Sequence, residues 1–432
     1  MKTGKTSIGL QYAVKRSNST VAYCALSIKC GTRDEEGYNN GIAHFVEHTM
    51  FKGTEKKSAT TISNYLDRLG GELNAYTTKE EIVFHATVLK EDLRKAANLL
   101  FELVSSATFP DTEVEVEKGV VIDEINSFKD SPSEEIYDMF EEELFAGHPL
   151  ANQILGTEES VKQISSAELK QFVKEKFTPC NMAFTVVADL DEEKMEKKVL
   201  QLVESYYGEN KNGEITRAFV EHVDVEYKNT QELDCGDSPC DNCAQPEVRA
   251  FDKTLERDNH QANCIIGSTA PSMYQEDNRL AAILMTNILG GPASNSILNY
   301  VLREKNGWVY GVECSYNQYS DTGIIVISLG CDKENLDKCT KAIYKEITKL
   351  QTNLLTETKL KAAKKQLLGQ VAISSDNGET QCLSMGKSLL AYGKIVDDKE
   401  TRNKIESITA EQIRDIANEV FAKEKLSKLV FI

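Results

Sequence analysis

Apolar positions along the chain recur with period two in short runs and near 3.6 in longer ones, and the two patterns interleave twice. Residues 10–15 and 21–29 read as strands; the second, V-A-Y-C-A-L-S-I-K, is rich in β formers. After a turn at G-T-R-D-E-E-G, residues 42–51 and 60–69 read as helices, the second stopped by Gly70-Gly71. Strands are predicted over 72–76 and 81–88. A long amphipathic helix follows over 90–105, with Leu93, Ala96, Ala97, Leu100 and Val104 on one side. Phe109-Pro110-Asp111 breaks the chain, and residues 112–127 form the next helix, with Val116, Val120 and Val121 as its apolar stripe. Glu117 and Glu124 are seven apart on that helix, so they share a face two turns apart. Helices over 134–144, 167–177 and 192–207 and a strand over 182–189 complete this half.

Residues 210–259 are polar, acidic and turn-rich. Order then resumes: strands over 261–267 and 323–330, helices over 278–290, 295–305, 333–349 and 357–373. The run E-I-V-F-H-A-T-V-L-K-E-D-L from Glu81 aligns with G-I-I-V-I-S-L-G-C-D-K-E-N-L from Gly323, and in both places a helix, a break and another long helix follow. The pattern predicts an α+β fold built by internal duplication: two mixed α/β domains, each an antiparallel-rich sheet with helices packed on it. The boundaries fall at 1–212 and 261–432, with 213–260 as the interdomain segment. A chain of 432 residues is long enough for two such cores.

Composition narrows the partners. Apolar residues make up 41% and charged residues 27%, the balance of a soluble globular protein. A net charge of −18 argues against nucleic acid, whose phosphates require a basic surface. No apolar run reaches the length of a membrane span, and the first ten residues lack the apolar centre of a signal peptide, so the expected location is cytoplasmic.

The chemistry concentrates in one stretch. From Gly41 to Gly53 the chain reads G-I-A-H-F-V-E-H-T-M-F-K-G. His44 and His48 are four apart on the predicted helix and can offer two imidazoles to one metal. Glu47 leans toward the same face. Two neutral imidazoles beside a carboxylate are what a hydrolytic zinc site requires; a polar helix face without metal fits the same three positions. The duplicated half has no histidine pair, and near the counterpart of Glu124 it carries Gln370. That asymmetry favours a site in one half.

With these motifs the chain resembles the M16 zinc peptidases, the pitrilysin-type inverzincins with signature H-x-x-E-H, and among them the half-length members related to mitochondrial processing peptidase. The resemblance rests on Gly41 to Thr54, on G-G-E-L-N-A-Y-T-T-K-E from Gly70, and on L-R-E-K-N-G-W-V-Y ending at Tyr310. It implies one zinc per chain held by His44, His48 and Glu124, which lies 76 residues after His48 at the family's spacing. Glu47 is then the general base, and Glu117 supports a ligand histidine or the neighbouring helix from behind. Asn74 and Ala75 would lie on an edge strand that pairs with an extended peptide, and Arg303 and Tyr310 would contact substrate near the scissile bond. The implied activity is endopeptidase cleavage of unfolded or short peptides in a closed chamber, by a homodimer or by a heterodimer with a related chain. A non-catalytic peptide-binding or scaffold subunit is the rival, set against retention of His44, Glu47, His48 and Glu124 together. Trp308 and the segment 292–299 depart from the family pattern.

Three of the eleven cysteines form a loop the resemblance does not explain, Cys235, Cys240 and Cys243. C-x4-C-x2-C with Cys264 as a distant fourth thiol is compatible with an iron–sulfur cluster, and the loop equally fits a second structural metal, a local disulfide, or an inert surface loop. An electron-transfer protein built on this loop is a third functional reading. His85 is expected as a packed core histidine, and His148, His222 and His260 have no partner spacing.

Overall fold

The computed structural model describes residues 1–208, 246–257 and 259–432. The described chain divides into two compact units. The first comprises Met1–Ile125, the described residues from Asn152 to residue 208, and Ser374–Val396; the second comprises Asn126–Ala151, the described residues from 246 to Ile373, and Asp397–Ile432.

The first unit is built on strands β1 (Lys2–Lys5), β2 (Gln11–Arg16), β3 (Val21–Ile28), β4 (Glu72–Thr77), β5 (Ile82–Leu89) and β6 (Met182–Ala188), in the order β1-β2-β6-β3-β5-β4. Only β2 and β6 run parallel. The second sheet holds β7 (Asp252–Leu255), β8 (Ala262–Ala270), β9 (Val309–Gln318), β10 (Gly323–Cys331) and β11 (Ser427–Phe431), in the order β7-β11-β8-β10-β9, with only β11 and β7 parallel. Setting β1 aside, the two orders and senses coincide strand for strand, so the duplication inferred from the pattern is the architecture of the protein.

Helices cover one face of the first sheet: α1 (Ile42–Met50), α2 (Ala59–Asp67), α3 (Leu93–Ser106) and α4 (Asp111–Lys129). Alternate strand residues such as Leu26, Phe84 and Phe184 bury there against Phe45, Phe101 and Val121. Next in the chain, α5 (Pro132–Leu144) belongs to the second unit, where Ile136, Phe140 and Leu144 pack on Ile265, Val326 and Phe431. Helices α6 (Glu158–Gln163), α7 (Ser166–Lys176) and α8 (Glu192–Tyr207) return to the first unit. The second unit continues with α9 (Glu276–Gly290), α10 (Leu336–Thr352) and α11 (Glu357–Ser374). Then α12 (Gly378–Tyr392) joins the first unit, and α13 (Asp398–Ser407) and α14 (Ala410–Val420) complete the second.

Helix α12 covers the face of the first sheet opposite α1. Cys382, Met385 and Leu389, at i, i+3 and i+7, meet Ala25, Val83, Ala183 and Val187. Asn377 caps its start by accepting from the N–H groups of Glu379 and Thr380, and Gly393 ends it at φ +64°. Gly386 lets the helix lie close, since a Cβ there would sit 2.5 Å from Ser27 Oγ.

Several expectations change. The buried stripe of α4 is Val114, Glu117, Val121 and Ile125, while Val116 and Val120 face outward at 67% and 48% exposure. The valine stripe is therefore corrected: α4 is rotated so that a carboxylate, not Val116 or Val120, faces the core. The helices expected from 90 and 333 each begin with a 3-10 turn, Lys90–Asp92 and Lys333–Asn335, a detail repeated by the duplication. The expected helix over 295–305 contains a π-helix at Asn299–Glu304. Strand β7 emerges from the segment read as polar linker, as a short edge beside β11. Cys235, Cys240, Cys243 and His222 lie outside the described residues. Cys264 is buried on β8, where burial pushes its thiol up to about 12 and opposes the thiolate a metal needs.

Candidate metal centre

Helix α1 places its ligands because its other side is the core. Ile42, Ala43, Phe45, Val46 and Met50 are fully buried, which leaves His44, Glu47 and His48 to turn together toward α4 and β4. From α4, Glu124 Oε2 lies 3.8 Å from His44 Nε2 and 3.4 Å from His48 Nε2. One ligand atom from each of His44, His48 and Glu124 falls within a mutual 4.8 Å, and among the described residues this is the one such group of three metal-binding side chains.

The two histidines are set to opposite protonation tendencies in the absence of a metal. Burial, helped by the neighbouring His48, lowers the His44 pKa to about 3, so its imidazole is neutral. Burial also opposes a charge on His48, but its bond to Glu117 and the charges of Glu124, Glu117 and Glu47 raise it above the ordinary value. Burial pushes the Glu117 carboxyl up, yet the hydrogen bonds from His48 and Lys52 outweigh it and hold Glu117 below the usual range. Glu117 Oε1 lies 2.9 Å from His48 Nδ1, and Lys52 Nζ lies 2.6 Å from Glu117 Oε2. An anionic Glu117 accepts a hydrogen bond from Nδ1–H and leaves the lone pair of His48 on Nε2, facing Glu124, which is the arrangement that orients a metal-ligating histidine. Lys52 escaped the sequence reading, although it lies one turn beyond His48 on the same side.

Glu47 stands at the same opening. Thr77 Oγ1 donates to its Oε2 at 2.5 Å. Burial raises the Glu47 carboxyl above its ordinary pKa, against the bond from Thr77 and the charge of His48. Thr77 ends β4, and β4 is the outer strand of its sheet, as expected for the strand carrying Asn74 and Ala75. Asn74 sits opposite His85 and Ala75 opposite Phe84 on β5, so by the pleat Ala75 shares the α1 face with Thr77 and Asn74 the other. His85 is not a core histidine: it is half-buried, with Nδ1 3.2 Å from Glu379 Oε1 of α12. His148 also has a partner, Asp321 Oδ2 at 3.3 Å from its Nε2.

In the second unit, Arg303 is exposed on the π-helix, and Tyr310 is 62% exposed at the start of β9. The Tyr310 hydroxyl donates to Asp332 Oδ1 at 3.0 Å, and that bond raises its pKa. Gln370, near the duplicated counterpart of Glu124, accepts a hydrogen bond from Asn287 Nδ2 at 2.7 Å.

The site has the parts of a zinc metallopeptidase of the H-x-x-E-H kind, set on one of two duplicated α/β units. The family description "Insulinase (Peptidase family M16)" matches residues 12–158, and "Peptidase M16 inactive domain" matches residues 163–367. The chain belongs to peptidase family M16. An uncharacterized zinc protease, YmxG of Bacillus subtilis, is 27% identical over 419 residues, covering 96% of this chain and 95% of the relative. The mitochondrial-processing peptidase subunit beta of Caenorhabditis elegans is 26% identical over 431 residues, 98% of this chain and 87% of that one. A protease from Helicobacter pylori shares the fold at TM-score 0.84 and 18% identity, covering 100% of this chain and 98% of its own. Among the described residues, no helix is long and apolar enough to cross a membrane.

Proposed function

We propose that this protein is a zinc-dependent endopeptidase acting on unfolded or short peptides. The observation that carries the reading is the convergence of His44, His48 and Glu124, with Glu47 free to face the same opening. Two imidazoles and a carboxylate fit zinc, which would displace any proton on His48 Nε2, and they would hold one ion per chain. When bound, zinc supplies Lewis acidity that polarises a carbonyl oxygen and makes a water easier to deprotonate.

The chain's own groups do the rest. Glu47 takes a proton from the attacking water and delivers it to the leaving amine. Its burial-raised pKa suits both transfers, and Thr77 fixes the carboxylate oxygen that does not need to move. Glu117 and Lys52 keep the His48 ring from turning. The free edge of β4 at Asn74 and Ala75 receives an extended peptide through main-chain hydrogen bonds, which tolerates varied side chains. Arg303 and Tyr310 contact the substrate near the bond to be cut. We further propose a homodimer enclosing its substrate in a chamber that excludes folded proteins; the word "subunit" in the name of the nematode relative supports an assembly.

The test is zinc content together with cleavage of a quenched peptide pool, run on wild type and Glu47→Gln. About one zinc in both, with cleavage only by wild type, supports the reading. Zinc in both without cleavage by either favours a non-catalytic binding subunit.

A further inference from the structure

Helix α1 carries no cap of its own. Its N-cap position is Gly41, at φ +87°, and a Cβ there would sit 2.7 Å from the Leu155 carbonyl oxygen and 2.8 Å from Cα of Gly156. No serine or aspartate can replace it without moving that backbone. The first turn's N–H groups would therefore be stranded in the core. Glu35 answers two of the N–H groups at this end: its carboxyl oxygens accept from the N–H groups of Gly41 and Ala43, each at 3.0 Å, while the Ile42 N–H donates to the Asn39 carbonyl at 3.2 Å. Glu35 is itself only 3% exposed.

The segment that holds Glu35 is tied to a second part of the site. The N–H groups of Thr32 and Arg33 donate to the carbonyls of Thr78 and Lys79 in the β4–β5 turn, at 3.2 and 3.0 Å. The Arg33 guanidinium pairs with Glu80 in the same turn. Thr77, which holds Glu47, immediately precedes that turn. The two ligand histidines also differ. The His48 ring is anchored by Glu117, whereas Nδ1 of His44 is buried without a hydrogen-bond partner among the described residues. Among the described residues no side chain hydrogen-bonds to Nδ1 of His44, whose ring only packs edge-on to His48 and faces Glu124 through Nε2, so its place depends on where the first turn of α1 lies.

We propose that Glu35 is a positioning residue of the metal centre, clamping the uncapped first turn of α1 to the β4–β5 turn and so setting His44 against Glu124 and Glu47. This rests on the zinc-peptidase reading of the site and adds Glu35, nine residues before His44. A glutamine at 35 keeps the size but turns one acceptor into an amide that cannot accept, so one clamp bond is lost.

The experiment titrates zinc against a competing chelator into metal-free wild type, Glu35→Gln and Glu35→Asp, and records the visible spectrum of each with cobalt(II) in place of zinc. Circular dichroism and thermal unfolding of the metal-free proteins report folding separately. The expected result is zinc affinity about 10-fold or more below wild type in folded Glu35→Gln, with altered cobalt bands. A group that only stabilises the fold would lower the unfolding temperature without moving either. Folded Glu35→Gln with wild-type affinity and spectrum overturns the proposal; if that variant does not fold, Glu35→Asp is judged by the same criteria. Wild type that binds no zinc overturns the reading of the site itself, an outcome distinct from tight binding by both proteins.

Discussion

A single carboxylate in the wrong place would spoil this site, and four in different settings do different work. Glu47 is raised by burial and free at one oxygen, Glu117 is held anionic by His48 and Lys52, Glu124 is half-exposed, and Glu35 is sealed behind α1. The sequence made His44, Glu47 and His48 legible because helical spacing alone puts them on one side. Glu124 and Glu117 came from a resemblance in spacing; the structure places Glu124 beside both histidines and Glu117 against His48. Thr77, Lys52 and Glu35 were not legible, because each acts through a tertiary contact that no local pattern encodes. Replacing Glu117 by glutamine should weaken zinc binding about 10- to 100-fold, since the amide holds the His48 ring less firmly; chelator competition measures it. Replacing Glu47 by glutamine should leave zinc in place and lower kcat by about 100-fold or more. Glu35 also makes a pH prediction. Burial raises its carboxyl from 4.5 to about 8, against its two backbone bonds. The folded state thus holds a proton that the unfolded chain releases, so the contribution of Glu35 to stability is greatest below about 4.5 and is lost as pH rises through about 8. Thermal unfolding of the metal-free protein across that window should show a flatter pH dependence in Glu35→Gln than in wild type.

At the scale of elements, strands and most helices were readable from period alone, and an error fell where a buried carboxylate overrode it. Helix α4 is the clear case. Its valines suggested a stripe through Val116 and Val120, but the core side instead includes Glu117, which hydrogen-bonds to His48. The rule that buried positions are apolar fails where a buried carboxylate has two partners to satisfy it. Truncating the two kinds of valine should therefore differ sharply. Val121→Ala should destabilise by about 2 kcal/mol, as loss of buried methyls does, whereas Val116→Ser should stay within about 0.5 kcal/mol. Urea unfolding of the metal-free protein reads both, and equal losses would mean the helix faces the other way.

For the whole molecule, the duplication was visible in two aligned strand–helix runs and extends to five strands of each sheet. Which unit each helix joins was not. Helix α12 follows the second sheet's long helices in sequence yet packs on the first sheet, and α5 belongs with the second unit. A helical period announces an apolar face without saying which sheet receives it. Expressed alone, residues 1–208 lack α12 and leave Ala13, Ala25, Val83, Ala183 and Val187 uncovered. That fragment should aggregate or bind a hydrophobic dye. A soluble, dye-silent fragment would show that α12 is dispensable to the first unit.

The central claim is that one zinc ion is held by His44, His48 and Glu124 and not by the cysteine loop. X-ray absorption at the zinc edge, on protein carrying one zinc per chain, tests it most directly. The account predicts a first shell of nitrogen and oxygen alone at about 2.0–2.2 Å, with the outer-shell signature of two imidazoles. Sulfur at about 2.3 Å, or protein that cannot be loaded with stoichiometric zinc, would contradict it.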